Sequence, residues 1–273
     1  MRGVSAKSGP ARVRQEQRSG YPEAPGPRLP ARYSIGAWLF DFDNTLAALE
    51  PQVNWAASRV ELEDYLRTQR IPAALFRAFP KRNLVLYEAV RADLQAKGLV
   101  SDPELFELLR GASEIIERHE MAGVANTPPL QGAIELLTEL HARNTPSAIV
   151  TSNSSRTVRR WLDLHRLQAT VKVVIGRDSM MALKPDPSML SRALAELRVS
   201  TNDALFIGDA AADLSAARSI GLRFAAIVSK PRAGEALRQA GADAIFNSPA
   251  ELGAYFGVLG ISSPAAPYQP ERG

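Results

Sequence analysis

The stretch WLFDFDNTLAALE, residues 38–50, decides how this chain is read. Its apolar opening, Trp38 to Phe40, suits a buried strand. It runs directly into two carboxylates, Asp41 and Asp43, and then into Asn44 and Thr45. Ionised carboxylates beside a buried strand are costly unless paired or bound to a cation. Two of them at one strand end point to chemistry.

Outward from this stretch, short apolar runs alternate with helical patterns. Strands are expected at 37–40, 148–151, 171–175, 204–207, 224–228 and 244–246. Several are rich in Val and Ile, as strands buried on both faces are. Helices are expected near 131–142, 155–166, 187–198, 211–220 and 232–240. Asp186 and Pro187 read as N-cap and first helical residue, while Gly221, Gly241 and Asn144 read as helix stops. Such alternation predicts an α/β fold, a Rossmann-like doubly wound parallel sheet. Residues 50–122 break the rhythm with helical patterns only. Leu105, Phe106, Leu108, Leu109, Ala112, Ile115, Ile116 and His119 keep helical spacing, behind a capping box at Ser101 and Glu104. Trp55, Leu62, Tyr65 and Leu66 mark one more helix, and Leu84, Tyr87, Val90 and Leu94 another. LAALEP (46–51) and GVANTPPLQG (123–132) read as the linkers of this insert.

The chain has 273 residues, 45% of them hydrophobic, and no cysteine. That is enough for a sizeable core, and it excludes a disulfide framework. No apolar run is long enough to span a bilayer, and no secretory signal is expected. The formal charge of +4 is confined to one end: residues 1–32 hold seven basic residues against two acidic ones. The body of the protein is therefore near neutral, and nucleic acid is not an expected partner. Residues 1–33 read as a basic tail poor in large apolar residues, hence disordered. A transit peptide and a basic arm for acidic partners are the competing readings. Residues 259–273 read as a second disordered tail.

Four polar stations punctuate the α/β part, each at a strand end or the start of the following helix: DFDNT (41–45), TSN (151–153), KP (184–185) and GDAAAD (208–213). Open α/β sheets bind ligands along that edge. In this order and placement the stations resemble the motifs of the haloacid dehalogenase-like hydrolase superfamily. The likeness covers residues 37 to about 246 and is nearest to phosphoglycolate phosphatase-like members. It implies a core of residues 34–49 and 123–258, with residues 50–122 as a type 1 helical cap.

What the resemblance implies for the site is specific. Asp41 would be a nucleophile forming an aspartyl-phosphate, and Asp43 a general acid and base. Mg2+ would be held by Asp41, the Asp43 carbonyl and Asp209, with Asp213 binding metal-bound water. Asn44, Thr45, Thr151, Ser152, Asn153 and Lys184 would hold the phosphoryl group. Taken singly, each residue has a plainer reading: Asp41 and Asp43 as turn caps, Thr151, Ser152 and Asn153 as helix caps, Lys184 as a surface lysine, Asp213 as a first-turn acid. Arg77, Lys81 and Arg82 read as a solvated face. His119, His141 and His165 lie away from every station, and no Cys/His cluster suits zinc.

Within the family, Asp43 favours phosphate ester chemistry over dehalogenation, because a halide leaving group needs no proton. A phosphomutase would share all four stations. Lys81 and Lys97 lack the context of a Schiff-base lysine. Asn44 stands where many capped members have Gly, and Asn tolerates a left-handed backbone. LAALE lacks the polar Asp-Ser common in glycolate-phosphate phosphatases, which weakens that substrate. The expectation is a cytoplasmic Mg2+-dependent phosphatase of a small phosphorylated metabolite, with oligomeric state unassigned. The alternatives are a phosphomutase and a binding or regulatory protein on the same fold.

Overall fold

The structure is a computed structural model that describes residues 29–30, 34–80, 82–98 and 101–260. Most of both expected tails lies outside the described residues, as does Lys81. Leu29, within the N-terminal stretch, is buried, and its carbonyl accepts from the Tyr255 hydroxyl at 2.7 Å.

Six parallel strands form one sheet in the order β3-β2-β1-β4-β5-β6. They are β1 (Ala37–Phe40), β2 (Ser147–Val150), β3 (Val173–Ile175), β4 (Ala204–Gly208), β5 (Arg223–Ile227) and β6 (Ala244–Phe246). All six coincide with expected apolar runs to within two residues. The α/β fold class is as the sequence predicts. Alternation along β1 explains why its run is unbroken. Ala37 and Leu39 join one core cluster, and Trp38 and Phe40 the other, on opposite faces of the sheet. Both faces are covered, so all four side chains are at most 2% exposed.

One face is covered by α7 (Ser188–Leu197), α8 (Ala211–Ser219) and α9 (Pro231–Ala240). The other is covered by α5 (Ala133–Ala142), α6 (Ser155–Leu164) and α10 (Pro249–Tyr255). The start of α7 lies one residue beyond expectation. Pro187 takes the N-cap position, with Asp186 Oδ1 accepting from the Ser188 amide at 2.8 Å. Asn144 and Gly221 adopt positive φ just past α5 and α8, and Gly241 caps α9 at φ 98°.

Between β1 and β2 come α1 (Trp55–Thr68), α2 (Ala73–Ala78), α3 (Asn83–Lys97) and α4 (Asp102–Val124). The Ser101–Glu104 capping box is present at the start of α4. This helix outruns the expected pattern and absorbs Gly123 and Val124 from the linker. Two members of its expected stripe leave the core. Phe106 is 47% exposed, and His119 bonds to Glu61 on the surface. The two linkers meet at the base of the insert: Ala48 N–H donates to Pro128 O at 3.0 Å, and Leu130 N–H to Leu46 O at 2.9 Å.

Strand order places the site. The chain leaves β1 for β2 and β3 on one side, then returns to β4 on the other. The switch point, where ligands gather in such sheets, therefore lies at the C-terminal ends of β1 and β4.

Candidate active site

Asp41 is the first residue after β1, and Asp209 the first after β4. Because β1 pairs with β4, with Phe40 opposite Ile207, the two carboxylates are neighbours. Asp213 follows in the first turn of α8 and points back to them. Carboxylate oxygens of Asp41, Asp209 and Asp213 lie within 4.8 Å of one another.

Lys184 enters from the loop before α7. Its Nζ donates to Asp41 Oδ1 at 2.6 Å and Val150 O at 3.2 Å, and pairs with Asp213 Oδ1 at 2.6 Å. It lies 5.4 Å from the centre of the Phe206 ring. Burial works against its charge, but Asp213 and Asp41 prevail and hold its pKa above the ordinary lysine value. Asp213 Oδ2 accepts from the amides of Asp209 and Ala210, at 3.2 and 3.1 Å. It therefore fixes both the lysine and the turn that carries Asp209.

The glycine of GDAAAD has a local reason. A Cβ on Gly208 would fall 2.6 Å from the Asp213 carboxyl carbon. Gly208→Ala is expected to displace Asp213, and with it Lys184, so turnover should fall about a hundredfold. Steady-state kinetics on the folded variant checks this. A variant within threefold of the parent would show that the close approach is dispensable.

Burial raises the carboxyls of Asp41, Asp43 and Asp209, which line the cleft. Asp41 is pushed up to about 6, with Lys184 opposing, and Asp43 to about 7 against the Glu50 amide. Asp209 is pushed up to about 8 by burial and by the charge of Asp41. Asp43 Oδ1 accepts from the amides of Leu49 and Glu50, each at 2.9 Å. Asp43 thus does cap a turn, as its plainer reading had it, and it also lines the cleft.

The cleft, of about 180 Å³, is lined by Asp41, Asp43, Asn44, Thr151, Ser152, Asn153, Lys184, Asp209 and Asp213 of the expected set. Thr45 is the exception. It is fully buried and outside the cleft lining, and its amide donates to Phe42 O. The Asn44 amide, expected to hold a phosphoryl oxygen, instead donates to Ala47 O at 2.7 Å. Asn44 adopts φ 59°, the left-handed backbone for which Asn was the tolerable substitute for Gly. Thr151 Oγ1 donates to Asn153 Oδ1 at 3.1 Å and accepts from the Asn153 amide at 3.2 Å.

Sequence reasoning missed four residues. Trp55 and Leu84 line the cleft from the insert. Glu120 and Arg177 form a wholly buried pair behind the TSN station, 2.9 Å apart. The available signal was the register of α4, where Glu120 follows Ala112, Ser113 and Ile116 along the buried stripe.

The donor set suits a hard divalent cation. Three clustered carboxylates share a single lysine, and Asp209 makes no ion pair among the described residues. The oxygen-only donors are those magnesium takes.

The fold is thus a parallel α/β sheet with an acidic cleft at its switch point. The model of the haloacid dehalogenase-like hydrolase family matches residues 38–227, and the chain belongs to that family. The phosphoglycolate phosphatase of Pseudomonas fluorescens is 28% identical over 192 residues, 69% of this chain and 68% of that protein. The phosphoglycolate phosphatase of Rhodospirillum rubrum is 26% identical over 81% of this chain and 90% of its own length. A haloacid dehalogenase-like hydrolase from Bacteroides fragilis shares the fold, with a TM-score of 0.58 and 20% identity over 80% of this chain and 99% of its own. Within the family, the chain falls among the phosphatases.

Proposed function

We propose that the protein is a magnesium-dependent phosphatase that hydrolyses a small phosphate monoester in the cytoplasm through an aspartyl-phosphate on Asp41. The observation that carries this reading is the pairing of Asp41 and Asp43 in one cleft. Asp41 is held by the lysine, while Asp43 is pushed up to about 7, where an acid–base group works best near neutrality. Asp41 attacks phosphorus and the bond to the ester oxygen breaks. Asp43 gives its proton to the departing alkoxide. A water then attacks the acyl phosphate, its proton passes to Asp43, and phosphate leaves with Asp41 restored. Lys184, Thr151 and the Ser152 amide hold phosphoryl oxygens throughout.

Asp41, Asp209 and the Asp43 carbonyl would hold the magnesium ion, with Asp213 behind them. Bound there, the ion supplies charge neutralisation for the phosphoryl group. The insert acts as a cap, bringing Trp55 and Leu84 over the leaving group and restricting water. Their apolar side chains suit the uncharged part of a metabolite.

The test is hydrolysis of an aryl phosphate with magnesium and with EDTA. Turnover with magnesium that is lost in EDTA is expected. Activity that survives EDTA would overturn the metal requirement, and none on a broad panel of phosphate esters would favour a binding protein.

A second expectation follows from the raised carboxyls. Asp41, Asp43 and Asp209 hold protons more tightly folded than unfolded, where the ordinary value is 3.8. In the metal-free protein their contribution to stability is therefore full below about pH 4 and declines as pH rises to about 8. Differential scanning calorimetry in EDTA should show Tm falling between pH 5 and 8. Magnesium should raise Tm more at pH 8 than at pH 6, because it competes with protons for the same oxygens. A flat Tm profile in EDTA would contradict this account.

A further inference from the structure

The TSN station is built from two sides, and one side belongs to the insert. Arg177, in the turn after β3, and Glu120, near the end of α4, are both 0% exposed and doubly bonded, Nη1 to Oε1 at 2.9 Å and Nη2 to Oε2 at 3.1 Å. Two buried charges of this kind are not needed for stability, since apolar residues of similar volume often serve as well. What sets this pair apart is what else it holds.

Arg177 takes two carbonyls of the station. Its Nη1 donates to Ser152 O at 2.9 Å, and its own amide to Asn153 O at 2.8 Å. With the carbonyls drawn to that side, the Ser152 amide donates to no group among the described residues, and Ser152 lines the cleft. Arg177 is in turn fastened to α4 through Ser113, with Nε on the hydroxyl at 3.1 Å.

Glu120 fixes the rest of the turn. A carboxylate only accepts, so the Asn153 side chain must present its Nδ2 to Glu120 Oε1, at 3.0 Å. Its Oδ1 is thereby turned to the Thr151 hydroxyl. Glu120 also accepts from the Ser154 amide at 3.0 Å and the Thr157 hydroxyl at 3.3 Å, which fixes the start of α6.

We propose that Glu120 and Arg177 are positioning residues for phosphoryl binding: as a bridge between the insert and the sheet, they hold the Thr151–Asn153 turn so that the Ser152 amide faces the phosphoryl oxygens. The inference rests on the phosphatase reading. It adds that the phosphate cradle is complete only while the end of α4 is seated. Neither residue touches substrate, and each acts through the Thr151–Asn153 turn.

The test uses the full chain with magnesium and inorganic phosphate as the probe. Three variants are compared: Glu120→Gln, Arg177→Lys and the paired apolar replacement Glu120→Leu/Arg177→Met. Phosphate affinity by calorimetry, KM and kcat on an aryl phosphate, and Tm are measured for each. The paired replacement should keep Tm within a few degrees yet bind phosphate about tenfold more weakly, with KM raised and kcat lowered. Glu120→Gln, which can flip the Asn153 amide, should weaken phosphate binding in the same direction. Folded variants with parental phosphate affinity and KM would overturn the proposal, leaving the pair a structural tie. If the variants do not fold, nitrogen-15 NMR of the parent decides: phosphate should shift the Ser152 backbone amide and the Asn153 side-chain amide, and unmoved resonances would overturn the proposal. A parent that binds phosphate but hydrolyses no ester refutes the phosphatase reading and leaves this inference testable by binding.

Discussion

Asp41→Asn is expected to lower kcat about ten-thousandfold or more, the scale seen when a covalent nucleophile is removed, while leaving the fold intact. The amide keeps the shape of the carboxyl and can still accept from Lys184 Nζ, now 2.6 Å from Asp41 Oδ1. What it lacks is the anion that attacks phosphorus. Stability should move the other way. Asp41 carries a raised pKa because burial and Asp213 oppose its charge, and its own charge raises Asp209. Without magnesium, at pH 8, the variant should therefore melt at or above the parent, since Lys184 keeps Asp213 as a partner. Rapid-quench kinetics and calorimetry read the two effects. Substantial turnover by Asp41→Asn would sink the covalent mechanism, and a large fall in Tm would sink the electrostatic account of the cluster.

Lys184→Met should do the reverse to stability. The side chain is 4% exposed and is the only cation within ion-pair distance of Asp41 and Asp213 among the described residues. Removing one partner from a buried ionic cluster typically costs about 3–5 kcal/mol. For a domain of this size that is a fall in Tm of about 6–15 °C. Asp41 would then titrate at higher pH, so the acid limb of the pH–rate profile should shift to alkaline pH. Losing one donor to the transferring group should also lower kcat about a hundredfold or more. A variant with parental Tm would show that the aspartates do not depend on the lysine for compensation.

These two residues were legible without coordinates. The strands were too, because burial on both faces of a parallel sheet leaves an unbroken apolar run such as Trp38 to Phe40. The stations stand out as polar interruptions at the ends of those runs. What stayed hidden depends on contacts far apart in sequence. Arg177 sits in the polar stretch GRDS, where nothing local marks it as buried, and Glu120, in ERHE, is marked only by its register on α4. Their partnership spans 57 residues. The six residues of α2 bury only Phe76, so its periodicity is too slight to read. A motif fixes a residue's position in the chain but not which way its side chain faces, and Thr45, expected to hold the phosphoryl group, is buried outside the cleft lining.

The pairing of the two linkers has a consequence for how freely the insert can change. Its ends are clasped by the Ala48–Pro128 and Leu130–Leu46 hydrogen bonds. To the sheet, everything between them is a loop already closed at its neck. The entropy of closing such a loop grows only with the logarithm of its length, about 0.6 kcal/mol for each doubling. Lengthening, trimming or exchanging the helices beyond the clasp therefore asks little of the core in chain entropy. The constraint on such changes is instead local: whatever replaces α4 must still deliver an acceptor to Asn153 and Arg177.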